Sequence, residues 1–206
     1  MSVPAPPSPF TAIPEVVAAG SRLHRIHSAR FAPDAFNPGA GAPTRFAFFG
    51  DPIVPVLYAG DTEDVAVCET VLHDVPLAGG VVGGREVTGR RCSRLVVRRD
   101  LRLASLVGGG PRALRVAVEE VCATDAADYP DTVAWAAAAH GAGFEGLAYP
   151  SRKAAGRRAV VLFGDRIGAG DLVPDPDYRW WFDDVDGFAK LYDICRPLGV
   201  AVLRLD

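Results

Sequence analysis

The sequence predicts a single α+β domain, a bent and mainly antiparallel sheet with flanking helices. Candidate strands and helices are mixed without the regular βαβ alternation of a doubly wound fold. The glycine-rich stretch 77–84 lacks GxGxxG spacing ahead of a helix, which disfavours a Rossmann phosphate loop. At 206 residues, with no internal repeat and no clear interdomain linker, one core is the simplest arrangement.

Residues 1–20 are a proline-rich, semi-extended lead-in to a domain spanning 21–206. Residues 22–27 (RLHRIH) read as the first strand, with Arg25 between Leu23 and Ile26. Residues 31–46 (FAPDAFNPGAGAPTRF) have neither a helical nor a strand period and centre on Asn37-Pro38-Gly39. Irregular segments this long inside a compact domain are often functional. This one ends at Thr44-Arg45-Phe46, at the start of the aromatic cluster Phe46, Phe48 and Phe49. Branched and aromatic residues at 54–59, followed by Gly60 and Asp61, predict a strand. Asp61 or Thr62 caps the next helix, with Glu63 and Asp64 in its first turn and Val65, Cys68 and Leu72 along one stripe.

Residues 77–84 read as flexible, and 92–98 and 101–106 as alternating strands. Pro111 suits a first helical position and leads a helix through Leu114, Val118 and Val121. Asp131 or Thr132 opens another helix, which runs through Trp135 and closes at Gly141 and Gly143. Strands at 144–149 and 159–163 flank the basic turn Pro150-Ser151-Arg152-Lys153. Phe188, Leu191, Tyr192 and Cys195 recur at helical spacing, Pro197 and Gly199 stop that helix, and 200–205 form a closing strand.

Apolar residues make up 49% of the chain and charged ones 23%, ordinary globular usage that supports a core. A formal charge of −3 gives no general attraction to nucleic acid or to an anionic membrane. No apolar run is long enough to span a bilayer, and the N-terminus lacks the basic start and unbroken apolar core of a signal peptide. The expected location is the cytoplasm. Cys68, Cys92, Cys122 and Cys195 form no CxxC pair and have no histidine at metal spacing, so reduced thiols and no metal are expected.

The stretch 54–74 carries the sharpest functional signal. Glu69 lies four residues after Val65 and three before Leu72, so it shares the apolar stripe. An inward carboxylate is costly unless it is paired or hydrogen-bonded. The pattern leaves two readings, a partly exposed glutamate on the stripe's edge or a carboxylate facing a cleft beside Tyr58. His73, one turn on, reads either as a partner for Glu69 or as a helix-surface histidine. His24, His27 and His140 read as structural. Judged alone, Arg25 and Arg45 are surface or ion-paired residues, Tyr58 a core residue with its hydroxyl outward, and Ser151 a turn residue outside any GxSxG motif.

Taken together, LHRIH around Arg25, FNPG and TRF around Arg45, and VLYAGDTEDVAVCETVLHDV with Tyr58 and Glu69 resemble the RES domain family. YPDTVAWAAAAH, GLAYPSR with Ser151, and VVLFGDR continue the resemblance to about Arg166, leaving 167–206, including Arg179-Trp180-Trp181, unmatched. The resemblance implies a fold similar to ADP-ribosyltransferases and activity on NAD. It implies a toxin of a toxin–antitoxin pair that degrades NAD by phosphorolysis or hydrolysis. A protein-modifying ADP-ribosyltransferase and a binding module inert without its partner are the alternatives. Glu69 and Ser151 are then the expected catalytic residues, and Arg25, Arg45 and Tyr58 bind NAD. NAD is substrate rather than cofactor. The partners implied are NAD, phosphate as acceptor and an antitoxin protein, with homodimerisation open.

The implied chemistry suits these residue types. Cleaving the nicotinamide–ribose bond builds positive charge on the ribose while a neutral nicotinamide departs, so no proton need be delivered and one carboxylate suffices. Fixed guanidiniums match pyrophosphate geometry. A tyrosine face can stack on nicotinamide, and a serine hydroxyl can hold nicotinamide or ribose. Tyr178, Trp180 and Trp181 are either an aromatic interface or a satellite of the core.

Overall fold

A computed structural model describes residues 3–204 without Leu77 and Ala155, and with the backbone alone at Arg85. The strands are β1 (Pro14–Val17), β2 (Arg22–Ser28), β3 (Val56–Gly60), β4 (Gly80–Val82), β5 (Arg90–Val97), β6 (Leu101–Ser105), β7 (Gly146–Pro150), β8 (Arg158–Phe163), β9 (Leu172–Trp181) and β10 (Val200–Val202). The helices are α1 (Glu63–Thr70), α2 (Gly84–Val87), α3 (Gly110–Ala113), α4 (Val118–Cys122), α5 (Tyr129–Gly141) and α6 (Val185–Cys195). Eight strands form one sheet in the order β1-β6-β7-β8-β3-β2-β5-β9. Within it only β6–β7 is parallel, among the described residues. The fold is the expected α+β domain with a curled, mainly antiparallel sheet and flanking helices.

Both faces of the sheet are apolar, and strand alternation divides them. Val56, Tyr58, Tyr149, Val161 and Phe163 face the larger core, where they meet Val65, Cys68, Trp135 and Leu191 of the helices. Leu57, Ala59, Ala148, Val160 and Leu162 face the other way, into a second cluster with Leu23, Leu95, Leu101 and Leu103.

One irregularity of pairing positions the site. β2 runs along β5 for seven residue pairs, but it meets β3 only at His24 and Gly60. Beyond that point the strands part, and the irregular segment between them reaches across, with Asn37 bridging to Val56. Gly60 closes the tight end of the fork. A Cβ there would stand 2.6 Å from the Val65 side chain, so only glycine lets α1 turn back so sharply over β3.

Several elements differ from expectation for identifiable reasons. The helix read through Leu114, Val118 and Val121 is two helices, α3 and α4, separated at Arg115 with φ of 56°. The apolar spacing survives the break, because Glu120 satisfies the new N-terminus by accepting from the Ala117 N–H at 3.0 Å. Neither Asp61 nor Thr62 caps α1 with its side chain. Thr62 sits at the cap position, but its hydroxyl accepts from Arg157 at 3.3 Å, and Asp61 accepts from Arg158 at 3.2 Å. The α1 helix ends at Thr70, before Leu72, and α5 starts at Tyr129, ahead of the expected cap.

The stretch read as flexible contains β4, which pairs in parallel with β10; Leu77 and the expected strand end at Leu205 lie outside the described residues. The lead-in supplies β1, paired with β6, and the Pro4 carbonyl accepts from the Trp135 indole at 2.8 Å. β9 was not foreseen. It sets Tyr178 and Trp180 against the core, leaving Trp181 partly exposed under Arg91. All four cysteines are free and buried.

His27 shows how a structural histidine ties stability to pH. Its Nδ1 faces the Ser28 carbonyl at 3.0 Å and its Nε2 the Ser93 hydroxyl at 2.9 Å. A carbonyl only accepts, so Nδ1 carries the proton and Nε2 accepts from serine. Burial lowers the pKa of this ring, and that of His24, below the ordinary 6.5. On acidification the unfolded chain takes up protons that the folded chain refuses, so stability falls as pH drops through about 6.5. Denaturant titrations at about pH 7 and about pH 5 should show this loss. His27→Gln should reduce but not abolish it, since His24 contributes with the same sign.

Candidate active site

The parting of β2 from β3 leaves a cleft of about 370 Å³. Arg25 and Ile26 of β2 line one wall, Val56 and Tyr58 of β3 another, with Glu69 of α1 and Tyr149 of β7 beside them. Glu69 stands in the last turn of α1, after the buried run Val65, Ala66, Val67 and Cys68. The carboxylate is met on both oxygens. Ser151 Oγ donates to Oε1 at 2.7 Å and Tyr149 Oη donates to Oε2 at 3.0 Å. Of the two sequence readings, the carboxylate facing a cleft is the one observed.

The two donors are themselves fixed. Tyr149 is 1% exposed and its ring stands edge-on to Phe46 at 5.1 Å. Burial, followed by the charge of Glu69, raises its pKa well above the ordinary phenol value. It therefore remains a proton donor throughout the neutral range. Ser151, also 1% exposed, accepts from the Ala154 N–H at 3.2 Å, which leaves its proton directed at Glu69. Its own N–H donates to the Arg157 carbonyl across the turn joining β7 to β8.

Tyr58 points from β3 into the cleft with its tip held. Its hydroxyl accepts from the Phe46 N–H at 3.0 Å and pairs with Thr44 Oγ1 at 2.9 Å. Burial, partly offset by these bonds, pushes its pKa up to about 12, so the ring is a neutral phenol. The hydroxyl is thus turned into the loop rather than outward. The ring is left as cleft lining.

Both expected arginines line the cleft, and both spend donors on the protein. Arg25 Nη1 donates to the Pro33 and Ala35 carbonyls, at 2.7 Å each, and so pins the irregular segment. Burial lowers its pKa to about 10, which leaves it charged at neutral pH. Arg45 is 8% exposed; it donates from Nε to Thr124 Oγ1 at 3.2 Å and from Nη2 to the Thr124 carbonyl at 3.4 Å. Its own carbonyl accepts from the Thr132 hydroxyl, joining the segment to α5. Arg45, Glu69 and His73 also border a second hollow of about 100 Å³, together with Tyr129 and Lys153.

His73 differs from both sequence readings. It lines both hollows and lies beyond the end of α1 rather than on its surface. Its ring faces Tyr129 Oη at 3.2 Å and Asp74 at 2.8 Å, and among the described residues it does not bond to Glu69. Sequence reasoning also missed Tyr149 and Arg90. Tyr149 was detectable, since it lies two residues before Ser151 on an alternating strand and so shares its face. Arg90 had no such signal, because only the β2–β5 register brings it to the cleft.

The shared carboxylate predicts energetic coupling. A hydrogen bond to a charged group contributes about 1.5–3 kcal/mol, so Tyr149→Phe and Ser151→Ala should each lower unfolding free energy by an amount of that order. Because both hydroxyls serve one carboxylate, the double variant should depart from additivity by about 0.5 kcal/mol or more in denaturant titrations. Simple additivity would mean that the two donors do not act on Glu69 together.

Comparisons with known proteins bear on the fold and the family. No curated protein matches the chain. The chain is similar to a chain in the crystal structure of the M. tuberculosis MbcT–MbcA toxin–antitoxin complex, with a TM-score of 0.55 and 16% sequence identity. That match covers 80% of this chain and 85% of the other, and at this identity it bears on the fold. The family model of the RES domain matches residues 22–183, extending past Arg166 to take in β9 and Arg179-Trp180-Trp181. A match over most of its length makes the chain a member of the RES domain family.

Proposed function

We propose that this RES domain degrades NAD by cleaving the bond between nicotinamide and ribose, and that it acts as the toxin of a type II toxin–antitoxin pair. The observation that carries the reading is the Glu69 carboxylate, held on both oxygens by neutral hydroxyls and lining a cleft with Tyr58 and Arg25. In the reaction the C1′–N bond of the nicotinamide riboside breaks, and its electron pair leaves with neutral nicotinamide. Positive charge builds on the ribose, and an oxygen of phosphate or water forms the new bond to C1′, water giving up a proton to solvent as it does so.

Glu69 is the group that stabilises this charge. A carboxylate already oriented in a partly desolvated site does so without reorganising during the reaction. Ser151 and Tyr149 hold the carboxylate in place. Tyr58 presents its ring for stacking on nicotinamide, while Arg25 and Arg45 supply positive charge for the pyrophosphate. Family membership supports the toxin assignment, and the neighbouring fold comes from a toxin–antitoxin complex, which supports an antitoxin protein as partner.

Purified protein incubated with NAD should release nicotinamide. Chromatography or NMR of the other product identifies the acceptor: ADP-ribose for water, a phosphorylated ADP-ribose for phosphate, or label retained on protein for a protein target. Glu69→Gln should lower turnover by about 10²–10³-fold, the usual scale for removing a preorganised electrostatic group, in a protein that still folds. Full turnover by that variant would remove Glu69 from the mechanism.

A further inference from the structure

The β5 side of the cleft carries a cation that the roles assigned so far leave unused. Arg90 opens β5 and pairs with Ser28 of β2, while the Phe182 N–H donates to its carbonyl from the β9 side. Its backbone is therefore held from both neighbouring strands. Arg90 has the strand parity of Cys92, which lies opposite Ile26 in the core on the cleft side of the sheet. Arg91, one residue on, points to the other face, with its guanidinium stacked 3.1 Å over the Trp181 ring. Alternation thus sends one arginine of this pair into the cleft and the other away from it.

The three arginines lining the cleft are not equivalent. Arg25 has donated to two carbonyls and Arg45 to Thr124. Among the described residues the Arg90 guanidinium has no hydrogen-bond or ion-pair partner, and Glu69 is the only carboxylate lining the cleft. Arg90 therefore brings a full set of donors and an unneutralised charge. It enters the cleft from β5, whereas Glu69 enters from α1. Glu69 is bonded to Tyr149 of β7, and the order β7-β8-β3-β2-β5 places four strand steps between that tyrosine and Arg90. A dinucleotide with its reacting ribose at Glu69 has its other half to place along this wall.

We infer that Arg90 is the anion anchor for the adenylate half of the dinucleotide, a substrate-positioning residue whose guanidinium fork takes the phosphate on that side. This rests on the NAD reading above. The anchor acts on binding of the distal half and not on the bond that breaks.

Calorimetric binding to the Glu69→Gln protein separates the two ideas, with ADP-ribose and nicotinamide mononucleotide as probes. Adding Arg90→Ala should weaken ADP-ribose at least tenfold and leave nicotinamide mononucleotide within about twofold; Arg90→Lys should recover part of the loss. Raising the salt concentration should weaken ADP-ribose more in the Arg90 protein than in the Arg90→Ala protein, because the anchor is a charge contact. In an otherwise native chain, Arg90→Ala should raise KM for NAD at least tenfold while moving kcat less than threefold. Equal weakening of both probes, or of neither, overturns the anchor. ADP-ribose binding that depends on Arg90 in a protein that never turns NAD over keeps the anchor and removes the NAD-degrading activity. Full NAD turnover with KM unmoved in Arg90→Ala does the reverse.

Discussion

A carboxylate brought into a partly buried cleft has to be met by donors, and the clamp on Glu69 is what the rest of the site depends on. Both donors come from one short piece of chain, the end of β7 and the residue just after it. Strand alternation puts Tyr149 and Ser151 on a common side, and each is then fixed from behind, one by Phe46 and the other by the Ala154 N–H. The acceptor comes from a helix over the middle of the sheet, whose sharp return after β3 depends on Gly60. The clamp therefore joins two pieces distant in the sequence, and the orientation of the carboxylate reports on both.

The cleft itself follows from a pairing that stops early. Antiparallel neighbours normally continue side by side, but β2 and β3 share one residue pair before they diverge. The Val56 backbone freed by the divergence pairs with Asn37 of the irregular segment, and the Arg25 guanidinium donates to the carbonyls of Pro33 and Ala35. A long loop without secondary structure is thus held at several points. Arg25 and Arg45 give this segment much of its fixed geometry as well as supplying charge to the cleft.

Much of this was legible in the sequence where short-range rules apply. The strands with branched or alternating residues, the helix around Trp135, and the inward stripe containing Glu69 follow from periodicity and turn residues within a few positions. The convergence of Glu69, Ser151, Arg25, Arg45 and Tyr58 on one region was implied only by family resemblance, since nothing local joins residues 25 and 151. The break at Arg115 escaped notice because a period of apolar residues passes across a re-capped helix unchanged. β9 was missed because its prolines and aspartates, Pro174, Asp175, Pro176 and Asp177, suggest a loop; these residues are tolerated on a strand at the edge of a sheet. Arg90 depends on register between distant strands, which single-sequence pattern does not carry.

The lead-in bears on how this chain can be handled. Because β1 covers the outer side of β6 and Pro4 supplies the acceptor for the Trp135 indole, the residues before Ser21 seal the fold. A shortened chain beginning at the family boundary would expose the unpaired edge of β6 and deprive a buried indole of its acceptor. Open strand edges invite pairing between molecules. Trimming to the homologous core would thus favour self-association, although no residue of the cleft had been removed.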